Sequence, residues 1–94
     1  MKITSKTKKV ATMLRSAGDE SRLKILCALF SDANACVSDI ATKLGMSVAI
    51  TSHHLRSLSK SGLVVPVRRG KHTCYRLTDT HLVSDLKNFI CKYK

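Results

Sequence analysis

Apolar and polar positions along the 94-residue chain fall into helical stripes, broken once by a stretch of strand-like character. Val10, Met13, Leu14 and Ala17 recur at i, i+3, i+4 and i+7, which predicts one face of a short helix ending near Gly18. Asp19 or Ser21 can open the next helix, whose face is Leu23, Leu26, Cys27 and Phe30, widened by Ile25 and Leu29. Ser31 to Asn34 reads as a loop. Val37, Ile40, Ala41 and Leu44 form a third stripe, and Gly45 stops it with the freedom that a left-handed cap needs. Ser47 then caps a fourth helix running to Lys60, with Ile50 or Thr51, Leu55 and Leu58 facing inward. Two helices joined across Leu44-Gly45-Met46-Ser47 have the length and the glycine of a helix-turn-helix.

After Ser61-Gly62 the period changes. Leu63 to Val67 is rich in β-branched residues, Thr73 to Leu77 resumes that character, and Arg68-Arg69-Gly70-Lys71-His72 lies between them as a basic hairpin tip. Pro66 has no N–H to donate, which suits an edge strand of a two-stranded ribbon. Leu82, Val83, Leu86, Phe89, Ile90 and Tyr93 then give a last helix with one wide apolar stripe, for which Asp79 reads as the N-cap. The pattern predicts a mainly α fold with a two-stranded β-hairpin wing: four helices, a hairpin and a fifth helix, a winged helix-turn-helix.

Length and composition narrow this further. Ninety-four residues allow one small domain spanning 1–94, with dimerisation through the terminal helices as an ordinary way to enlarge its core. An apolar fraction of 44% supports a packed core rather than disorder. The longest apolar run, Ile25 to Phe30, is far short of the roughly 20 residues that span a bilayer, and no signal-peptide core is evident. A cytoplasmic protein without a membrane partner is therefore the expectation. In that reducing compartment Cys27, Cys36, Cys74 and Cys91 are expected as thiols, and no Cys-x-x-Cys pair marks a zinc knuckle.

Charge points to a partner. The formal net charge is +11, and it is unevenly placed. Residues 40–78 hold Lys43, Arg56, Lys60, Arg68, Arg69, Lys71 and Arg76 with no acidic side chain, while the N-terminal arm adds Lys2, Lys6, Lys8, Lys9 and Arg15. Such a stretch suggests a surface that faces a polyanion, with nucleic acid first. Enzyme chemistry has little to stand on: no paired carboxylates, phosphate-binding glycine loop or nucleophile–His–Asp spacing is present. A nonspecific architectural or RNA-binding protein is the other alternative, but the 4 aromatic residues form no base-stacking strand pattern.

Four segments in order resemble the ArsR/SmtB family of bacterial repressors: Met13 to Leu26, Ala35 to Ala41, Met46 to Leu58, and the wing pieces Gly62-Leu63-Val64, Arg68-x-Gly70-Lys71 and Tyr75-Arg76-Leu77. The resemblance implies a homodimeric repressor that binds an inverted-repeat DNA operator and is released by an inducer. A recognition helix presents its first turns to base edges, so Ser47, Thr51, Ser52 and His53 are candidate base contacts, His54 either contacts DNA or faces the protein, and Arg56 is a phosphate contact. Arg68, Arg69 and Lys71 are expected along phosphates or in the minor groove. Val48 and the Ile50-Thr51 order depart from the family pattern, which puts base contacts at 48 and 50 in doubt.

The family's ligand sites test less well. Of the two cysteines its third helix supplies to soft metals, Cys36 is present but Ser38 replaces the other. Asp79-Thr80-His81 keeps half of the zinc site on the last helix, and the matching half falls on Lys92 and beyond Lys94. His53 and His54 point about 100° apart on a helix and cannot chelate one metal together. No metal site and no cofactor are expected. Thiol chemistry remains: some members resemble persulfide or redox sensors with one cysteine late in the second helix and one near the end of the last. Cys27 and Cys91 stand at or near those positions, with packing as the rival role for Cys27 and pairings through Cys36 or Cys74 also open. A metal-responsive repressor with a non-standard site is the remaining alternative for the switch.

Overall fold

The computed structural model describes residues 4–93. Its elements run α1 (Ser5–Ala17), α2 (Glu20–Ser31), β1 (Ala35–Cys36), α3 (Val37–Leu44), α4 (Val48–Lys60), β2 (Val64–Arg69), β3 (His72–Leu77) and α5 (His81–Lys92). The five helices and the hairpin lie where the apolar pattern puts them. The sheet is larger than expected, because β1 adds a third strand in the order β1-β3-β2. Pro66 accordingly sits on the edge strand β2, opposite Tyr75 of the central strand.

α1 begins upstream of the Val10 stripe. The Thr4 carbonyl accepts from the N–H groups of Thr7 and Lys8 at 3.0 and 3.3 Å, and the Thr4 N–H donates to Thr7 Oγ1 at 3.4 Å. Lys6, Lys8 and Lys9 therefore ride on a helix, and Lys2 lies outside the described residues. Asp19 caps α2: its Oδ2 accepts from the Arg22 N–H at 3.0 Å. Arg22 Nε donates in turn to the Ser16 carbonyl at 2.8 Å, tying the end of α1 to the start of α2. One residue thus serves two helix ends, each of which has unpaired backbone groups to satisfy.

The buried side chains form one cluster. Ile25, Leu26, Leu29, Ile40, Leu55, Leu58, Leu63 and Val64 are almost wholly removed from water. Each contributes about 1.5–3 kcal/mol of transfer free energy, so the helix-turn-helix is braced from behind by α2 and by the base of the wing. The stripe on α2 is rotated from the expected one. Ile25, Leu26, Ala28 and Leu29 are buried, whereas Leu23, Cys27 and Phe30 are only half-buried.

α3 and α4 meet at Gly45, whose φ of 66° is left-handed and whose N–H donates to the Thr42 carbonyl at 3.3 Å. Met46 N–H closes the turn on the Ala41 carbonyl at 2.9 Å. Ser47 Oγ then accepts from the Ile50 N–H at 3.1 Å and starts α4. At the other end of the chain Thr80, not Asp79, caps α5: its Oγ1 accepts from the Val83 N–H at 3.2 Å. A hydroxyl at Thr80 is one residue closer to the first turn than the Asp79 carboxylate, which stays exposed.

Candidate nucleic-acid interface

α4 turns Thr51, Leu55 and Leu58 toward the core, each 0% exposed. Thr51 was expected at base edges, and the fold removes it from them. Its Oγ1 donates to the Ser47 carbonyl at 2.8 Å, so the hydroxyl is already satisfied inside the protein. Of the pair Ile50 and Thr51, only one can point inward. Ile50 is 53% exposed and Val48 is 55% exposed, with Ala49 exposed between them.

The solvent face of α4 is therefore Val48, Ala49, Ile50, His53 and Arg56, with Ser52 half-buried at its edge. Arg56 Nη1 donates to Ser52 Oγ at 2.8 Å, one turn apart on the same face. That bond aims the guanidinium toward the helix start and leaves its other N–H groups free for an anion. Ser47 is exposed, but its Oγ is engaged in capping. His53 is exposed, while His54 turns inward: its Nδ1 is buried with no protein partner, and its charge acts on Asp19 at the start of α2. Of the two orientations open to His54, DNA contact or facing the protein, the fold takes the second and sets it between α4 and α2.

Sequence reasoning passed over Val48, Ala49 and Ile50 as contacts. The signal was available: apolar residues at 48 and 50 lie off the stripe that Thr51, Leu55 and Leu58 define. Exposed methyl groups on the first turn of such a helix can read the methyl of thymine, the apolar element of the major-groove code.

The wing supplies the cations. Arg68, Arg69 and Lys71 are all exposed around the hairpin tip, where Arg69 pairs with His72 in register. A shallow cleft of about 250 Å³ lies between the starts of α3 and α4 and the tip of the wing, lined by Cys36, Val48, Ser52, Lys71 and His72 among others. Candidate contacts from the helix and from the wing thus open onto one surface. No carboxylate occurs between Asp39 and Asp79 in the sequence to oppose a polyanion there.

The cysteines depart from expectation. Cys36 and Cys74 face each other as register partners on β1 and β3 and are joined in a disulfide, where free thiols were expected. Their pairing follows from the strand that the sequence pattern did not predict. Cys27 and Cys91 are free, the first half-buried and the second exposed. Cys27 does not sit in the core but lines a groove of about 500 Å³ with Leu23, Lys24, Ala28 and Leu44. Among the described residues, no three His, Cys, Asp or Glu side chains are gathered to hold a metal ion.

Residues 19–65 match the model of the bacterial regulatory protein, arsR family. The cadmium resistance transcriptional regulatory protein CadC of Listeria innocua is 40% identical over 78 residues, which cover 83% of this chain and 66% of that protein. The chain belongs to the arsR family. It spans just under two thirds of the length of that relative. HlyU from Vibrio cholerae shares the arsR-family chain's fold with a TM-score of 0.85 at 25% identity, over 97% of this chain and 98% of that one. The homodimeric winged helix-turn-helix DNA-binding domain Mb0332 of Mycobacterium bovis does so with a TM-score of 0.83 at 26% identity, over 99% and 89%. Relatives of this arsR-family chain are transcriptional regulators rather than enzymes. No helix of the described residues is long and apolar enough to cross a membrane.

Proposed function

We propose that this chain is a homodimeric transcriptional repressor that inserts α4 into the major groove of an inverted-repeat operator and lays its wing along the flanking phosphates. The observation that carries this reading is the composition of one surface. Val48 and Ser52 of α4 and Lys71 of the wing line a shared cleft, Arg56 is hydrogen-bonded to Ser52 at its edge, and Arg68 and Arg69 are exposed on the same hairpin, with no acid in the intervening sequence. In this reading Val48, Ala49 and Ile50 contribute apolar contacts, Ser52 and His53 polar ones, and Arg56, Arg68, Arg69 and Lys71 bind phosphate.

Dimerisation rests on α5. Val83 is its one buried residue, while Leu82, Phe89 and Tyr93 are exposed, and Leu14 of α1 is 54% exposed. Phe89 and Tyr93 meet one turn apart with ring centroids 5.3 Å from each other and their planes tilted by 55°. An apolar stripe this open on a terminal helix suits a second copy of the chain. Mb0332, of like fold, is a homodimer.

Release is assigned to sulfur chemistry at Cys27 and Cys91, the two free thiols. Polysulfide or peroxide treatment followed by peptide mass spectrometry should show a Cys27–Cys91 crosslink; both alkylated as free thiols afterwards would reject that pair. The repressor reading itself is tested by selecting duplexes from a random library with the full chain. Recovery of an inverted repeat, bound at least about 10³-fold more tightly than random duplex at the same salt, is the expected result. Equal affinity for selected duplex, random duplex and RNA would make the protein a nonspecific nucleic-acid binder instead.

A further inference from the structure

We infer that Cys36 and Cys74 form a second thiol site, one that takes low-molecular-weight disulfides and sets how firmly the wing is held against the helix-turn-helix. The inference rests on the repressor reading for its effect on DNA, but not for its chemistry. The two cysteines are cross-strand partners, and they are bonded. They lie at the junction that matters for a reading head of this shape. Cys36 is the N-cap of α3, the first helix of the helix-turn-helix, and Cys74 is central in β3, the strand that leads away from the wing tip. β1 is only two residues long, and beside its Ala35–Tyr75 pairing and the packing of Val37 in the core this bond is the covalent tie between the start of α3 and the wing strand.

Accessibility gives the two sulfurs different roles. Cys36 is half-buried and lines the cleft shared by Val48, Ser52 and Lys71, whereas Cys74 is 0% exposed. A reagent therefore meets Cys36 first. Cys36 stands at the N-cap of α3 and shares the cleft with Lys71, whose cation can attract an anionic reagent such as oxidised glutathione. In the reduced protein, the Cys36 thiolate attacks one sulfur of a small disulfide such as oxidised glutathione. The S–S bond of the reagent breaks, a mixed disulfide forms at Cys36, and one thiolate leaves. Cys74 then attacks the Cys36 sulfur, the mixed disulfide breaks, and the second small thiolate leaves. The protein loses two hydrogens to form the Cys36–Cys74 bond, and the reagent becomes two thiols.

The consequence for function follows from what the bond fixes. With the bond in place, Ser52 of α4 and Lys71 of the wing line one cleft. Holding the two contact elements in that relation before DNA arrives removes an ordering cost from binding, so the bonded form is the tighter binder. Reduction leaves the junction to the Ala35–Tyr75 pairing and the core packing of Val37, and so gives the wing more freedom relative to α3. This is separate from Cys27 and Cys91, neither of which lies on this cleft.

The test uses the full chain carrying Cys27→Ala and Cys91→Ser, so that the thiols assigned to release are absent, reduced with dithiothreitol or oxidised with oxidised glutathione, with Cys36 and Cys74 mapped by differential alkylation and mass spectrometry. Duplex affinity is read in each state on the selected inverted repeat and on a random duplex at low salt. Expected is a Cys36–Cys74 crosslink after oxidation and a Kd at least about fivefold lower than in the reduced form, on both duplexes. Cys36→Ser, whose serine is a good N-cap, should remove the difference; Cys74→Ala gives the same reading should the first variant misfold. Cys36 and Cys74 both remaining alkylatable after oxidation would overturn the site. A crosslink that forms with no change in either Kd would overturn its control of DNA binding. If no inverted repeat is recovered, the repressor reading fails, and the random duplex still reports whether the bond changes the binding surface.

Discussion

Thr51 and His54 separate what a helix pattern tells from what packing decides. Position 51 differs from position 50 by one 100° step, and both residues are β-branched, so periodicity allowed either inward. Packing against Ser47 and the core chose Thr51, whose hydroxyl found the Ser47 carbonyl at 2.8 Å. Thr51→Val should accordingly leave affinity for a selected operator within about twofold while lowering unfolding stability by about 0.5–1.5 kcal/mol, the net worth of one hydrogen bond. His53→Ala should do the reverse, costing about 1–3 kcal/mol on the operator and little on random duplex. Paired binding titrations and denaturant melts of the two variants separate the roles. A third residue, Asp19, gives a pH signature. The Arg22 backbone N–H, together with the positive charges of Arg22 and His54, holds its carboxyl below the ordinary aspartate range. A lowered folded value means that the cap's stabilisation is present above about pH 4 and is lost as pH falls through the lowered value. Asp19→Asn, which can still cap the helix, should flatten that acid limb of a thermal-melt series; an unchanged limb would assign it to other carboxylates.

At the scale of elements, what was legible was what is local. The stripes of α3 and α4, Gly45 in its left-handed turn and Ser47 at its cap are all signalled within a few residues, and each was found where expected. The start of α1 was less visible because its first turn, from Ser5 to Lys9, carries no apolar residue to mark a period. β1 left no local mark at all. Two residues cannot show alternation, and their partner strand lies 38 residues away, so the Cys36–Cys74 pairing emerges only from the fold. The wing's charge, by contrast, was legible from sequence alone, and it makes a prediction about an element rather than a residue. Arg68→Ala with Arg69→Ala should weaken every duplex alike and flatten the dependence of log K on log salt by up to about 0.9 for each phosphate no longer neutralised. An unchanged slope, read by anisotropy titrations over a salt series, would show that the wing does not touch the backbone.

For the whole molecule the feature that calls for a partner is the apolar stripe on α5. The sequence shows the stripe plainly, yet nothing in it says what lies against the stripe, because a helix patterned for a partner reads the same as one patterned for its own core. The fold separates the two: Val83 alone is buried and Leu86 packs on the core, while Phe89 and Tyr93 remain 64% and 72% exposed. Reading an inverted repeat needs two α4 helices one turn of DNA, about 34–36 Å, apart, which a two-fold pair has to supply, so dimerisation and reading an inverted repeat are one requirement. Each half-site alone binds weakly, and the linked second half-site supplies the rest through effective concentration. Phe89→Asp places a charge in the centre of that face without touching the reading surface. Sedimentation should then find a monomer with an unchanged far-ultraviolet helix signal. Its affinity for the full inverted repeat should fall at least about tenfold, toward that for a half-site, which both proteins bind equally. A variant that still sediments as a dimer would move the interface off α5, and a monomer that keeps full affinity would mean that one copy reads the operator alone.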